Sequence, residues 1–262
     1  LTNGEVDIID GIDANVVDQI TAAGCVLNKV EGMNINYMAY NTDVLTDPEV
    51  RKALSQAINV PELVESLYRG YASEATTILP SFVPGYSSDV HQVSYDPEAA
   101  QATLAEKGVT DIYMVAYTNP RPYNTATGQT LAEAIQGYWA KVGVNCRIDT
   151  FDWTSYIDKC NTGDFDVCLF GWTGDNGDPD NFLNLLANED IGINVAHYKN
   201  DEYNAMLAEA VSLPNGDERN ALYGEMEQKL ADECVWLPIS HQESLSAYVS
   251  NVHNFIFHPT GN

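Results

Sequence analysis

Positive charge is what this sequence has least of. Twelve lysines and arginines face 38 aspartates and glutamates in 262 residues, a formal net charge of −26. Such a surface repels phosphate backbones and anionic lipid, which argues against nucleic acid or a membrane surface as partner. Long apolar runs are missing too, since nothing approaches the roughly 18 residues of a membrane span. The five cysteines (Cys25, Cys146, Cys160, Cys168, Cys234) are odd in number, widely spaced and contain no C-x-x-C pair. Neither a zinc site nor a disulfide framework is expected from them, although a single bridge stays open. The histidines are scattered without H-E-x-x-H, and G-x-S-x-G, a phosphate loop and G-x-G-x-x-G are all absent. No catalytic residue, cofactor or metal ligand is therefore nominated. The chain starts at Leu1 with no signal-type segment, and reads as a processed or excised piece of something longer.

What is present is enough to build a core, with 45% of residues apolar. Asp47-Pro48-Glu49 and Asp96-Pro97-Glu98 each put an aspartate at a helix N-cap and a proline in the first turn, where its missing N–H costs nothing. The proline- and serine-rich stretch 78–89 reads as an ordered loop. From there the pattern alternates: a strand over 112–118, a helix over 125–143, a strand over 144–151, a helix over 154–162 and a strand over 166–173. A long helix over 217–234 precedes a strand-like stretch, 237–249. Strands alternating with helices imply right-handed crossovers, an α/β fold and a largely parallel sheet.

The stretch GWTGDNGDPDNF (171–182) then separates two carboxylates. Asp178-Pro179-Asp180 repeats the helix-opening signature, so Asp178 is expected to cap the helix carrying Phe182 and Leu183. Asp175 has no such job. It follows the run Val167-Cys168-Leu169-Phe170-Gly171-Trp172, apolar on both faces and so read as a central strand. A carboxylate just past the carboxyl end of such a strand sits where open α/β sheets bind ligands. A calcium loop is the rival, but two and four positions after Asp175 stand Gly177 and Pro179, which offer no side-chain oxygen. Paired-carboxylate hydrolysis lacks a second acid at a defined spacing.

Arg121, in TNPRPYN, follows a different strand and is stiffened by Pro120 and Pro122. A fixed anion at one strand end and a guanidinium fork at another make a receptor for a zwitterion, with an ammonium on Asp175 and a carboxylate on Arg121. A short peptide or amino acid fits better than a sugar.

At this point the residues coincide with a family. YNTDVLTDPEVRKALSQAIN (40–59) closely resembles the segment shared by extracellular solute-binding proteins of the peptide and nickel type, which feed ABC importers, and LTNGEVDII resembles the same family. RPYN, QGYWAKVGV and GWTGDNGDPDNF look like its dipeptide-binding branch. The resemblance implies a type II-like periplasmic-binding-protein lobe with a mixed, largely parallel sheet flanked by helices. It assigns the ligand's α-ammonium to Asp175 and its α-carboxylate to Arg121, with Trp172 lining the pocket. It further implies that residues 31–246 form a second lobe, that 1–30 and 247–262 belong to a first, and that the protein works outside the cytoplasm, as a periplasmic protein or lipoprotein. Its partners would be a dipeptide and a membrane permease. LLANEDIGINVAHYKN lacks the cysteines that Gram-negative relatives carry there, so that disulfide is not expected. A nickel or longer-oligopeptide receptor of the same fold is the alternative, and a hydrolase comes last.

Overall fold

The computed structural model describes residues 1–188 and 193–260. Residues 189–192, inside LLANEDIGINVAHYKN, and 261–262, at the end of the expected return segment, lie outside it. Among the described residues the strands are β1 (Ile8–Asp10), β2 (Val26–Glu31), β3 (Asn34–Tyr40), β4 (Ala72–Glu74), β5 (Asp111–Tyr117), β6 (Asn145–Phe151), β7 (Val167–Thr173) and β8 (Trp236–Tyr248). The helices are α1 (Val17–Ala22), α2 (Pro48–Gln56), α3 (Val60–Tyr68), α4 (Pro97–Lys107), α5 (Gly128–Lys141), α6 (Trp153–Thr162), α7 (Asp180–Ala187), α8 (Asp201–Ser212) and α9 (Asp217–Asp232). None is long and apolar enough to cross a membrane.

Local chemistry fixes several of these starts. The Asp47 carboxylate accepts the Glu49 N–H at 2.9 Å and that of Asp96 accepts the Ala99 N–H at 2.9 Å, each just before a proline. These are the two starts expected from the sequence. α5 opens three residues later than 125, because Thr127 is its cap and accepts the Thr130 N–H at 3.0 Å. Arg51, in the YNTDVLTDPEVRKALSQAIN segment, is buried. It donates to the carbonyls of Leu45 (2.7 Å) and Cys234 (2.9 Å), tying the start of α2 to the end of α9. All five cysteines are free thiols.

The sheet runs β1-β8-β3-β7-β5-β6, with β2 and β4 also paired to β8. It is mixed, as expected, but its parallel part is smaller than the alternation implied. Only β5–β6 and β5–β7 are parallel, while β3 lies antiparallel to both β7 and β8, and β1, β2 and β4 lie antiparallel to β8. The reason is connectivity. Helices α5 and α6 carry the chain back between β5, β6 and β7, whereas β3 and β8 arrive from distant parts of the sequence with no crossover to β7 to impose direction.

β3 is buried along its whole length, and its Tyr37 packs edge-on against Trp236 of β8 at 5.3 Å between centroids. β8 belongs to two neighbourhoods. Its first residues pair with β3, while Glu243–Tyr248 pair with β2 and the last three of these also with β1. A second, smaller core of Ile12, Val17, Ile20, Leu245 and Ala247 forms there. β8 passes residues 246 and 247 without a break.

Candidate functional site

The parallel neighbours β5 and β7 are hydrogen-bonded only at Met114–Val167 and Val115–Cys168. Beyond that point they part. The hydroxyl of Tyr156, on α6, occupies the fork: it donates to the Leu169 carbonyl and accepts the Leu169 N–H at 3.0 Å. Both backbone groups of Leu169 on that side are thereby satisfied without a strand partner. The chain emerging from β5 leads to Arg121, and the chain emerging from β7 leads to Asp175, so the two charges expected at strand ends do stand on the same edge of the sheet.

The Arg121 loop is held from below. Arg121 and Asn124 exchange backbone hydrogen bonds of 2.9 Å in both directions, closing a turn over Pro122 and Tyr123. The buried Asn124 side chain donates to the Tyr117 hydroxyl and accepts from that of Tyr68, both at 2.9 Å, and Asn36 donates to Tyr68 at 3.0 Å. Tyr123 lies on the backbone of Gly171, where a Cβ would come within 2.2 Å of the ring. Only glycine admits that contact, which ties RPYN to the GWTGD strand.

The guanidinium of Arg121 rests 3.7 Å from the centroid of the Trp153 ring. Its Nε is buried without a hydrogen bond, and among the described residues no carboxylate forms an ion pair with it. Arg121 lines a cavity of about 550 Å³ together with Asn34, Pro120, Pro122, Thr125 and Thr173, among others. Asp175 and Trp172 are not in that lining, although Thr173 stands between them.

Asp175 and Trp172 are joined instead through Asn181. The Asn181 carbonyl oxygen accepts the Trp172 indole N–H (3.0 Å) and the Asp175 backbone N–H (2.8 Å), and its amide donates to the Asp175 carboxylate at 3.2 Å. The carboxylate is exposed and fixed in place, with no cation paired to it among the described residues. Asp178 is not the N-cap of α7: that position is Pro179, which has no side-chain cap bond, and Asp178 stands one residue before it, its Oδ1 accepting the N–H of Asp180, the first helical residue, at 2.9 Å. It also meets the nearly buried Arg219 bidentately, at 2.9 and 3.0 Å. Burial pushes its carboxyl up, but the Arg219 bonds and the Asp180 N–H outweigh this and hold the pKa below the ordinary carboxylate value.

Asn181, Trp153 and Arg219 were not singled out from the sequence. Asn181 was visible as the polar residue closing DPDN, while nothing local marked the other two. The described residues contain no cluster of three or more His, Cys, Asp or Glu arranged to hold a metal ion.

Residues 1–193 match the model of bacterial extracellular solute-binding proteins, family 5 Middle. The chain belongs to that family. As a family 5 chain it is 33% identical over 243 residues to heme-binding protein A of Haemophilus influenzae, covering 88% of this chain and 43% of that protein. It is 32% identical over 243 residues to the dipeptide-binding protein of Escherichia coli, covering 90% and 45%. A dipeptide binding protein from Pseudoalteromonas, solved with Met-Leu, superposes with a TM-score of 0.89 at 25% identity, over 99% of this chain and 53% of that one. The family 5 chain thus spans about half the length of its relatives, with 43% to 53% of each covered in these three matches.

Proposed function

We propose that this family 5 chain is the second lobe (31–246) of a two-lobed receptor that binds dipeptides or short peptides outside the cytoplasm. The receptor passes them unchanged to an ABC permease, and the flanks 1–30 and 247–262 pack into the first lobe. The observation that carries the reading is the pair of unpartnered opposite charges at neighbouring strand ends. Among the described residues Arg121 has no carboxylate paired to it, and Asp175 is oriented by Asn181 with no cation paired to it. The guanidinium fork takes a ligand carboxylate bidentately and the carboxylate takes a ligand ammonium.

Closure of the first lobe over it is what gives such a pair its strength. Two unit charges 4 Å apart attract by about 1 kcal/mol in water and by about 4 kcal/mol at the effective dielectric of a protein surface. The 262-residue chain alone leaves the pair in water and is expected to bind a dipeptide no better than about millimolar.

The test is calorimetric titration of the complete receptor with a dipeptide, its N-acetylated, C-amidated and doubly blocked forms, hemin and nickel. The reading requires that blocking either end weakens binding and that blocking both abolishes it. Tight binding of the doubly blocked dipeptide, or binding of hemin or nickel without any for the free dipeptide, would replace it.

A further inference from the structure

The chain has five arginines, and four are satisfied by the protein itself. Arg69, Arg147 and Arg219 pair with Asp18, Asp149 and Asp178, and Arg51 donates to backbone carbonyls. Among the described residues two arginines go without an acid in a chain that has 38, and for Arg51 backbone carbonyls take its place. Arg121 has an aromatic face instead.

We infer that Trp153 is a positioning residue for Arg121, one that holds the guanidinium by its face so that its edge stays free for a ligand carboxylate. The inference rests on the peptide-receptor reading of Arg121. Its physical basis is the division of labour within the guanidinium group. The five N–H donors of arginine lie in the plane of the group, whereas attraction to an aromatic ring acts through its face. A protein carboxylate would occupy the same in-plane donors that a ligand carboxylate needs, and the ligand would have to displace it. A ring at 3.7 Å restrains the side chain and leaves that fork open.

The ring is itself anchored. Trp153 opens α6 directly after its cap Asp152, whose carboxylate accepts the N–H groups of Thr154 (3.1 Å) and Ser155 (3.3 Å). It stacks on Phe170 of β7 at 5.9 Å and 26°, and meets Tyr117 of β5 edge-on at 5.7 Å. The platform beneath Arg121 is therefore built from both strands of the fork. Trp153 acts through Arg121, and its effect is confined to ligands that use Arg121.

The experiment compares a dipeptide with its C-terminal amide, by titration against the complete receptor and its Trp153→Phe, Trp153→Leu and Arg121→Ala variants. The readout is the ratio of the two affinities. Trp153→Leu is expected to lose roughly three- to thirtyfold on the free carboxylate, the range of a cation–π contact, and less than about twofold on the amide. Trp153→Phe, which keeps a weaker face, is expected to shift the ratio the same way by less, and remains informative if the leucine variant fails to fold. Equal weakening of both ligands would show a merely structural tryptophan and overturn the inference. A ratio lost in Arg121→Ala but intact in both Trp153 variants would overturn the inference alone. A ratio intact in Arg121→Ala would overturn the reading of Arg121 as well.

Discussion

Replacing Asp178 by alanine removes two things at once, the acceptor for the first N–H of α7 and the partner of a nearly buried cation. The acceptor role is the bond to the Asp180 N–H, and losing such a bond costs about 1 kcal/mol. The pair is harder to value. Breaking a fully buried ion pair costs about 3 to 5 kcal/mol, because a charge is left in a poor dielectric. Here Arg219 has a side chain 8% exposed but Asp178 one of 36%, so water reaches the gap. Arg219 also keeps its bonds to the Ala210 carbonyl (2.9 Å), the Asn215 side chain (3.2 Å) and the Tyr223 hydroxyl (3.1 Å). We therefore discount the pair to about 2 kcal/mol, for a total of about 3 kcal/mol. That corresponds to a fall in Tm of about 6 to 12 °C for a domain of this size. Asp175→Asn, in contrast, changes an exposed carboxylate whose neighbours are backbone and amide, and stability should stay within about 0.5 kcal/mol. Thermal melts of both variants, with Arg219→Met and the Asp178→Ala/Arg219→Met double variant, close the cycle. The double variant should be less destabilised than the sum of the singles. Additive singles would refute the coupling of Asp178 to Arg219, and an Asp178→Ala protein that melts like the parent while Asp175→Asn does not would show that the two aspartates have been given each other's roles.

In the complete receptor, Asp175→Ala or Arg121→Ala should weaken dipeptide binding by a hundredfold or more, since an enclosed ligand charge left unpaired costs on the order of 3 to 5 kcal/mol. Calorimetry showing less than a tenfold loss for both would refute the charge pair. Asn181→Ala should free the Asp175 carboxylate and the Trp172 indole together, lowering affinity about tenfold for the loss of one charge-assisted bond. Its check is a simultaneous change in tryptophan fluorescence and affinity, and a change in only one would separate the two contacts. Glu227 on α9 is buried under the 78–89 loop, accepting the Leu79 N–H at 3.2 Å, and burial raises its pKa from 4.5 to about 8. The folded state therefore keeps a proton that the unfolded state loses above about 4.5. The contribution of this group is fully present below that pH and is lost as the pH rises through about 8. Glu227→Gln should flatten that decline in urea melts between pH 5 and 8, and an unchanged slope would mean that the carboxyl ionises freely in place.

Much of the architecture was readable because its causes are local. An aspartate before a proline caps both α2 and α4, so their starts follow from three residues each, whereas at α7 the same signature sits one residue early and Pro179 takes the N-cap. The strand ends bearing Arg121 and Asp175 were readable because β5 and β7 are short apolar runs with sharp polar limits. The pairing of β3 and β8 was not. Direction in a sheet depends on partners far apart in sequence, and the β–α alternation speaks only for β5, β6 and β7. Distance also hid the partner of Asp178, which comes from α9, 41 positions on. Trp153 escaped for a different reason: a tryptophan after a helix cap looks like core, and only the folded chain brings an arginine over it.

The Tyr156 hydroxyl has a consequence for how such a protein can change. By capping Leu169 where β5 and β7 separate, it makes the opening between them a property of the packed interior, not of the loops that decorate it. Insertions and substitutions in the segments carrying Arg121 and Asp175 can then alter what is held there without closing the space in which it is held. Loops are the part of a fold most tolerant of such changes. One phenol, out of reach of any ligand, leaves the rim free to diversify.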